Sequence, residues 1–386
     1  MSWPLARLGD VAPAKPVKHA FSETEGVWTL NLDQVEAETG KVFKKVVMPL
    51  SSAGSSTHGF DERHVLYSKL RPYLNKVILP DDRGLATTEL VPMLPDAERL
   101  NREYLAYYLR SKSFVDWVSA QVAGAKMPRV SMKLFWDHKI PLPSLSEQNR
   151  IAKILEKADV ICQKRQQAIQ LVDELIRAVF LDMFGGPEAN MRGWAVKPLD
   201  EYLTFLTSGS RGWAKYYSET GSKFIRIQNV SKNKLLLSDM AFVNAPQGAE
   251  ANRTKVQVGD VLLSITADLG RSSVVTKDIA GGHINQHLAL LRLSNERLNP
   301  RYLSAYLSST AGINQFMKKN KSAVKAGLNF TDIKTLEVPV PPIAEQLSYE
   351  KTYDKAISLQ VEQFRSLEEA KKSFGALSQK AFTGKL

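Results

Sequence analysis

The sequence predicts an α+β protein: two α/β domains related by an internal repeat, separated by two long antiparallel helices that form a coiled coil with pseudo-twofold symmetry. The phrase IPLPSLSEQ begins at Ile140, and VPVPPIAEQ begins at Val338, 198 residues later. Each phrase opens a run of apolar residues at helical spacing that lasts about 38 residues. A repeat of that length is a duplicated domain with its connector, because solenoid units run roughly 20–50 residues. The segments are 1–143 (first domain), 144–187 (first helix), 188–341 (second domain) and 342–386 (second helix).

The repeat can be followed element by element. LARLGD and VKPLDE are equivalent starts, and HVLYSKLRPYLNKV (64–77) matches DVLLSITADLGRSSV (260–274) with small indels. TTELVPML (87–94) falls on NQHLALLR (285–292), which predicts equivalent strands. NREYLAYYLRS (101–111) and NPRYLSAYLSS (299–309) predict short helices capped by Asn101 and Asn299, with Pro300 in the first turn, where its missing N–H does no harm. GAKMPRVSMKLFWDHKI (124–140) falls on SAVKAGLNFTDIKTLEV (322–338). The prolines that follow end the last strand of each domain, because they cannot continue its ladder. Ser144 and Ser146 are candidate N-caps of the first long helix, and Glu147 lies near the positive end of its dipole. Glu345 takes the same place in the second copy, where Ala344 lacks a capping hydroxyl. Gly185, Gly186 and Pro187 end the first helix.

Within the first long helix, Ile151, Ile154/Leu155, Ala158, Ile161/Cys162, Ala168/Ile169, Val172, Leu175/Ile176, Val179 and Met183 keep a 3.5-residue beat, the mark of a helix packed lengthwise on another helix. The second copy offers Tyr349, Tyr353, Ala356, Leu359, Leu367, Ala370, Phe374 and Leu377. Arg165 and Gln363 interrupt the two seams at repeat-equivalent positions near each helix middle. In antiparallel helices these midpoints face each other, and a polar pair there fixes register. The alternative is that both side chains reach out to solvent.

Composition narrows the function. The 386 residues, 44% hydrophobic and 24% charged, are those of a globular chain with two cores of ordinary size. No run approaches the roughly 20 apolar residues of a spanning helix. MSWPLARLGD lacks a signal-peptide layout, and the single Cys162 fits a reducing compartment, so a cytoplasmic location is expected. A net charge of +12 points to a polyanionic partner, nucleic acid above all.

Catalytic signatures are not found. The chain has no Asn-Pro-Pro-aromatic or Asp-Pro-Pro-Tyr methyltransferase motif, no glycine-rich dinucleotide loop and no phosphate-binding loop. HINQH (283–287) has an HxxxH spacing without the glutamate of a metalloprotease helix. Read as a strand, it separates its histidines by about 13 Å, which argues against zinc. A chain without catalysis, metal or cofactor is expected.

The segment IPLPSLSEQNRIAKILEKADVICQKRQQAIQLVDELIRAVFLDMFG (140–185) resembles the central conserved region of specificity subunits of type I restriction–modification systems. VPVPPIAEQ and LSQKAFTGKL resemble their distal conserved region, while HVLYSKLRPYL and INQHLALLRL resemble stretches of their target-recognition domains. The likeness spans essentially the whole chain. It implies that each target-recognition domain binds one half of a bipartite site in double-stranded DNA, while the helices set the distance between halves. It also implies docking of two methyltransferase subunits, which modify adenine with S-adenosylmethionine, and of restriction subunits that translocate and cut. The specificity subunit itself would bind neither cofactor nor metal.

Phosphate contacts should come from Lys and Arg, and base contacts from a few polar groups. In the first domain YSKLRPYLNK supplies Lys69, Arg71 and Lys76, and AKMPR supplies Lys126 and Arg129. In the second domain the candidates are Arg226, Gln228, Arg271, Lys318, Lys319, Lys321 and Lys325, and Lys126 occupies the loop equivalent to that of Lys325. These charges also fit a merely solvated face. Tyr67, Tyr73 and Gln286 fit core or strand pairing as well as base contact, and His287 aligns with Glu89. Two other readings stay open: a stand-alone DNA-binding protein, and a coiled-coil interaction scaffold. Neither would have methyltransferase partners.

Overall fold

The computed structural model describes residues 3–22, 25–54, 56–123, 127–186, 190, 192–209, 211–294, 296–319 and 327–386. The chain forms two compact units, Met1–Gln167 with Gln363–Leu386, and Ala168–Glu362. Each unit therefore holds one α/β domain and part of both long helices, Leu145–Phe184 and Ile343–Phe382. Both helices have 40 residues, about 60 Å at 1.5 Å per residue.

In the first unit Leu5–Arg7 pairs antiparallel with Lys139–Pro141, tying the start of the domain to its exit. Gly26–Leu30 lies between Val46–Pro49 and Gly84–Thr87, and Thr57–Phe60 completes this four-stranded sheet. A second sheet places Val65–Ser68 between Val77–Ile78 and Leu90–Met93. Every residue of Val65–Ser68 is buried, so this strand is apolar on both faces. Helices Arg102–Arg110 and Lys112–Ser119 cover it, and the side-chain oxygens of Asn101 and Ser111 cap them. The Tyr104 hydroxyl donates to the Pro141 carbonyl (2.9 Å), and its ring meets Phe382 edge-on at 5.4 Å.

The second unit repeats this plan. Val196–Pro198 pairs with Glu337–Pro339. One sheet runs Leu203–Ser208, Leu288–Leu293, Val261–Ser264, Ser272–Val274, and the other runs Tyr217–Ser218, Ala241–Val243, Ser222–Ile225, His283–Ile284. Both units contain a parallel strand pair, Thr29–Leu30 with Leu85–Ala86 and Phe224–Ile225 with His283–Ile284. The Tyr302 hydroxyl donates to the Pro339 carbonyl (2.8 Å), as Tyr104 does in the first unit. Its ring packs on Phe180 and Phe184.

In the first unit Arg150 Nη2 donates to the Leu386 carbonyl (3.1 Å) and Arg165 Nη1 to Gln363 Oε1 (3.0 Å), so the helix segments run antiparallel. In the second unit Gln360 Nε2 reaches the Ile169 carbonyl (3.0 Å) while Tyr349 packs on Phe180, again antiparallel. Where the heptad beat leaves two neighbours open, burial chooses Leu155, Cys162, Ile169 and Ile176, whereas Ile161 and Leu175 are exposed. Burial corrects one assignment: Leu359 is exposed and Gln360 takes its seam position. Gln360 can be buried because its Nε2 donates to the Ile169 carbonyl and Asp173 Oδ1 (2.8 Å) and its Oε1 accepts from Lys234 Nζ (2.6 Å).

A hairpin of the second domain, Val230–Ser231 with Lys234–Leu235, is held on these helix segments. The Tyr353 hydroxyl donates to the Asn233 carbonyl (2.6 Å), Asn233 Nδ2 donates to the Tyr349 hydroxyl (3.2 Å), and the Arg301 guanidinium lies 4.0 Å over the Tyr353 ring. Asn233 adopts φ +56°, a left-handed conformation that asparagine tolerates at a tight turn.

Candidate nucleic-acid interface

Three segments of the first unit cross where Lys69–Arg71 leaves the central strand. Lys69 N donates to the Glu89 carbonyl (3.0 Å), Val130 N to the Lys69 carbonyl (3.1 Å), and Arg71 N to the Pro128 carbonyl (2.8 Å). Leu70 and Arg129 form an isolated bridge. The chain turns there because Arg71 adopts φ +48°, and the Ser68 hydroxyl holds the turn by donating to the Leu70 carbonyl (2.8 Å). Arg71 and Arg129 are exposed and Lys69 half-buried, so the crossing presents three cationic side chains from a hydrogen-bonded backbone. Tyr73 and Met127 stand exposed beside them in sequence, whereas Tyr67 belongs to the core.

Arg129 is itself held. Its Nε lies 3.2 Å from Glu89 Oε2, and its Nη2 lies 2.8 Å from Glu89 Oε1. That charge-assisted hydrogen bond holds the Glu89 carboxyl below the usual carboxylate range.

The second unit builds the same crossing from other residues. Ile265 N donates to the His287 carbonyl (3.0 Å), Leu328 N to the Ile265 carbonyl (2.9 Å), and Thr266 bridges Gly327. Ala267 adopts φ +61° where the first unit has Arg71, and Ser264 Oγ closes the turn on the Asp268 carbonyl (2.6 Å). Thr266 Oγ1 and His287 Nδ1 are 2.6 Å apart, and Gln286 Nε2 lies 3.0 Å from His287 Nε2. The HINQH strand ends early: after Asn285 the chain turns at Gln286 and His287, which carries His287 to the crossing. His283 stays inside the domain, 3.2 Å from the Thr254 hydroxyl.

The remaining predicted contacts are scattered. Lys76 Nζ donates to the Leu32 carbonyl inside the first domain (2.7 Å). Arg226 and Gln228 converge on Asp239 Oδ2, at 3.0 and 3.2 Å. Arg271 pairs with Asp268 (2.6 Å), on the turn that follows Ala267. Lys318 is exposed at the end of Thr310–Lys319, and Lys319 Nζ donates to the Thr335 hydroxyl (2.8 Å). Lys126, Lys321 and Lys325 lie outside the described residues.

The glutamines of IPLPSLSEQ and VPVPPIAEQ mount each domain on its helix. Gln148 is fully buried; its Oε1 accepts from Asn101 N (2.8 Å), and its Nε2 donates to the carbonyls of Arg99 (2.9 Å) and Pro143 (2.8 Å). Gln346 repeats this on Asn299 N (2.8 Å), Arg297 (3.0 Å) and Pro341 (2.7 Å). The signal was the Glu-Gln pair kept in both copies, with glutamine as the buried member. Ser144 caps the first helix weakly, accepting from Glu147 N at 3.3 Å; Ser146 lies inside the helix and caps nothing.

Comparison with known proteins agrees with this architecture. A family model described as "Type I restriction modification DNA specificity domain" matches residues 74–171 and 191–371. The chain is 24% identical over 328 residues to the type I restriction enzyme MjaVIII specificity subunit of Methanocaldococcus jannaschii, covering 79% of this chain and 75% of that protein. It is 22% identical to the EcoBI specificity subunit of Escherichia coli, covering 81% and 71%. Among solved structures, a chain from a study of complex assembly and conformational transition in a type I restriction–modification system aligns with TM-score 0.62 at 20% identity, covering 100% of this chain and 98% of that one. The type I restriction–modification S subunit from M. genitalium aligns with TM-score 0.58 at 15% identity, covering 99% and 96%. At these identities the structural matches speak for the fold.

Proposed function

This chain belongs to the type I restriction–modification DNA specificity family, and from that premise we propose that it is the non-catalytic subunit that selects a bipartite DNA site for an adenine methyltransferase and a restriction subunit. Each α/β domain binds one half-site in double-stranded DNA, and the long helices set the distance between halves. The observation that carries this reading is the duplicated crossing. One backbone frame presents Lys69, Arg71, Glu89 and Arg129 in the first unit, and Thr266, Ala267 and His287 in the second, where buried Ile265 stands in the place of Lys69 and Gly327 in that of Arg129. A common frame with different side chains is what reading two different half-sites requires, because base edges are distinguished by donor and acceptor patterns.

The exposed cations Arg71, Arg129 and Lys318 would meet phosphates and bases, with Lys69, Arg271 and Lys319 beside them. Lys126, Lys321 and Lys325 join this set by sequence. Arg226, Gln228 and Lys76 are tied to partners within their own domains and would exchange those bonds on binding DNA. Exposed apolar residues on the helices, among them Leu171, Leu175, Leu347 and Val361, offer surface for two methyltransferase subunits. S-adenosylmethionine would be bound by those partners and not by this chain, and the work would take place in the cytoplasm.

The test is to purify the chain with its methyltransferase partner, incubate the complex with unmethylated genomic DNA and map the methylated adenines. A stable complex that methylates one bipartite sequence is expected. DNA binding without a complex or methylation would favour the stand-alone reading.

A further inference from the structure

We infer that Arg129 reads a guanine in the half-site bound by the first unit, and that Glu89 is the positioning residue that aims it. The inference rests on the specificity reading above and deepens it.

The guanidinium is planar and has two donor edges. Its side edge, Nε with one Nη2 hydrogen, is occupied by the two Glu89 oxygens. Its end edge, Nη1 with the other Nη2 hydrogen, points away from that carboxylate by the geometry of the group. Two parallel donors on that edge match the adjacent O6 and N7 acceptors of guanine in the major groove. Arg129 is mounted on backbone fixed by the Leu70 bridge and by the hydrogen bonds of Val130 and Arg71 on either side. A guanidinium already held by a carboxylate loses less freedom on binding than a free one.

Arg129 is exposed and Glu89 half-buried, so the pair adds little to fold stability, where exposed ion pairs contribute about 0–1 kcal/mol. Lys69 and Arg71 on the adjoining turn supply positive charge for flanking phosphates. The second unit cannot make this contact: Gly327 stands in the place of Arg129 and His287 in that of Glu89. The guanine contact is therefore a property of one half-site only.

The test uses the full chain in complex with its methyltransferase partner, with methylated adenines mapped for wild type, Arg129→Gln, Arg129→Lys and Glu89→Gln. The first half-site, identified as the half that changes when residues 1–143 are exchanged, should contain an invariant guanine. Arg129→Gln should reduce preference for that guanine about 5- to 150-fold, the scale of one bidentate base contact, and leave the second half-site unchanged. Arg129→Lys should restore only part of it, because an ammonium can reach O6 and N7 but lacks the fixed two-pronged edge. Glu89→Gln should relax the same position by a smaller factor, which a merely structural role would not do. An unmoved preference in Arg129→Gln, a loss shared equally by all bases, or a first half-site without guanine would overturn the assignment. Wild type that methylates no bipartite site would overturn the specificity reading itself; wild-type methylation with an unmoved Arg129→Gln would overturn the guanine assignment alone.

Discussion

Gln148 and Gln346 show how much one side chain does where a domain meets its helix. Each is fully buried and satisfies one backbone N–H and two carbonyls that would otherwise face an apolar interior. Replacing Gln346 by Ala strips all three partners at once. It should destabilise the second unit by roughly 2–4 kcal/mol, since each buried polar group left unpaired costs about 1–3 kcal/mol and partial water entry relieves some of that. Urea unfolding would measure it, and Gln148→Ala should behave alike in the first unit; a loss below about 0.5 kcal/mol would show the bonds to be incidental. The sequence carries these glutamines twice, but local capping rules point to Ser144, Ser146 and Glu147, because such rules concern neighbours within a turn. Bonds to Asn101 and Asn299, 47 residues upstream, leave no local pattern. The same limit applies to Glu89 and Arg129, 40 residues apart and joined only by the fold.

At the scale of the element, the helices were legible because a heptad beat needs no tertiary information. The ambiguous neighbours were not, and the choice of Leu359 over Gln360 failed because hydrophobicity was the only guide. Gln360 is buried on account of partners from the opposite helix and the Lys234 hairpin, which no reading of one helix reveals. Arg165 and Gln363 occupy seam positions and are joined by a 3.0 Å hydrogen bond. A polar pair in an apolar seam costs stability relative to leucine but disfavours sliding, because a slipped register buries it unpaired. Arg165→Leu with Gln363→Leu should therefore raise the melting temperature while broadening the set of spacer lengths among methylated sites. A more stable double variant with one unchanged spacer would show that register is set elsewhere.

For the whole molecule, the 198-residue repeat was visible in motif and helix, and equivalent strands followed from it. What lay hidden was how the chain is shared out. The compact units take Gln363–Leu386 with the first domain and Ala168–Glu362 as the second, so the unit boundaries cut through both long helices instead of following the repeat. Such sharing arises because a helix of 40 residues packs its two ends on different partners, as Phe382 on Tyr104 and Tyr349 on Phe180. The candidate recognition surface was the least legible part, since lysines and arginines look alike in sequence whether they are bonded inward, as Lys76 is, or exposed, as Arg71 is. The central claim is that each domain reads its own half-site. Exchanging residues 1–143 for those of a family member with another specificity, then mapping methylated adenines, tests it most directly. One half-site should change while the other half-site and the spacer stay as they were; a change in both halves, or in neither, would contradict the account.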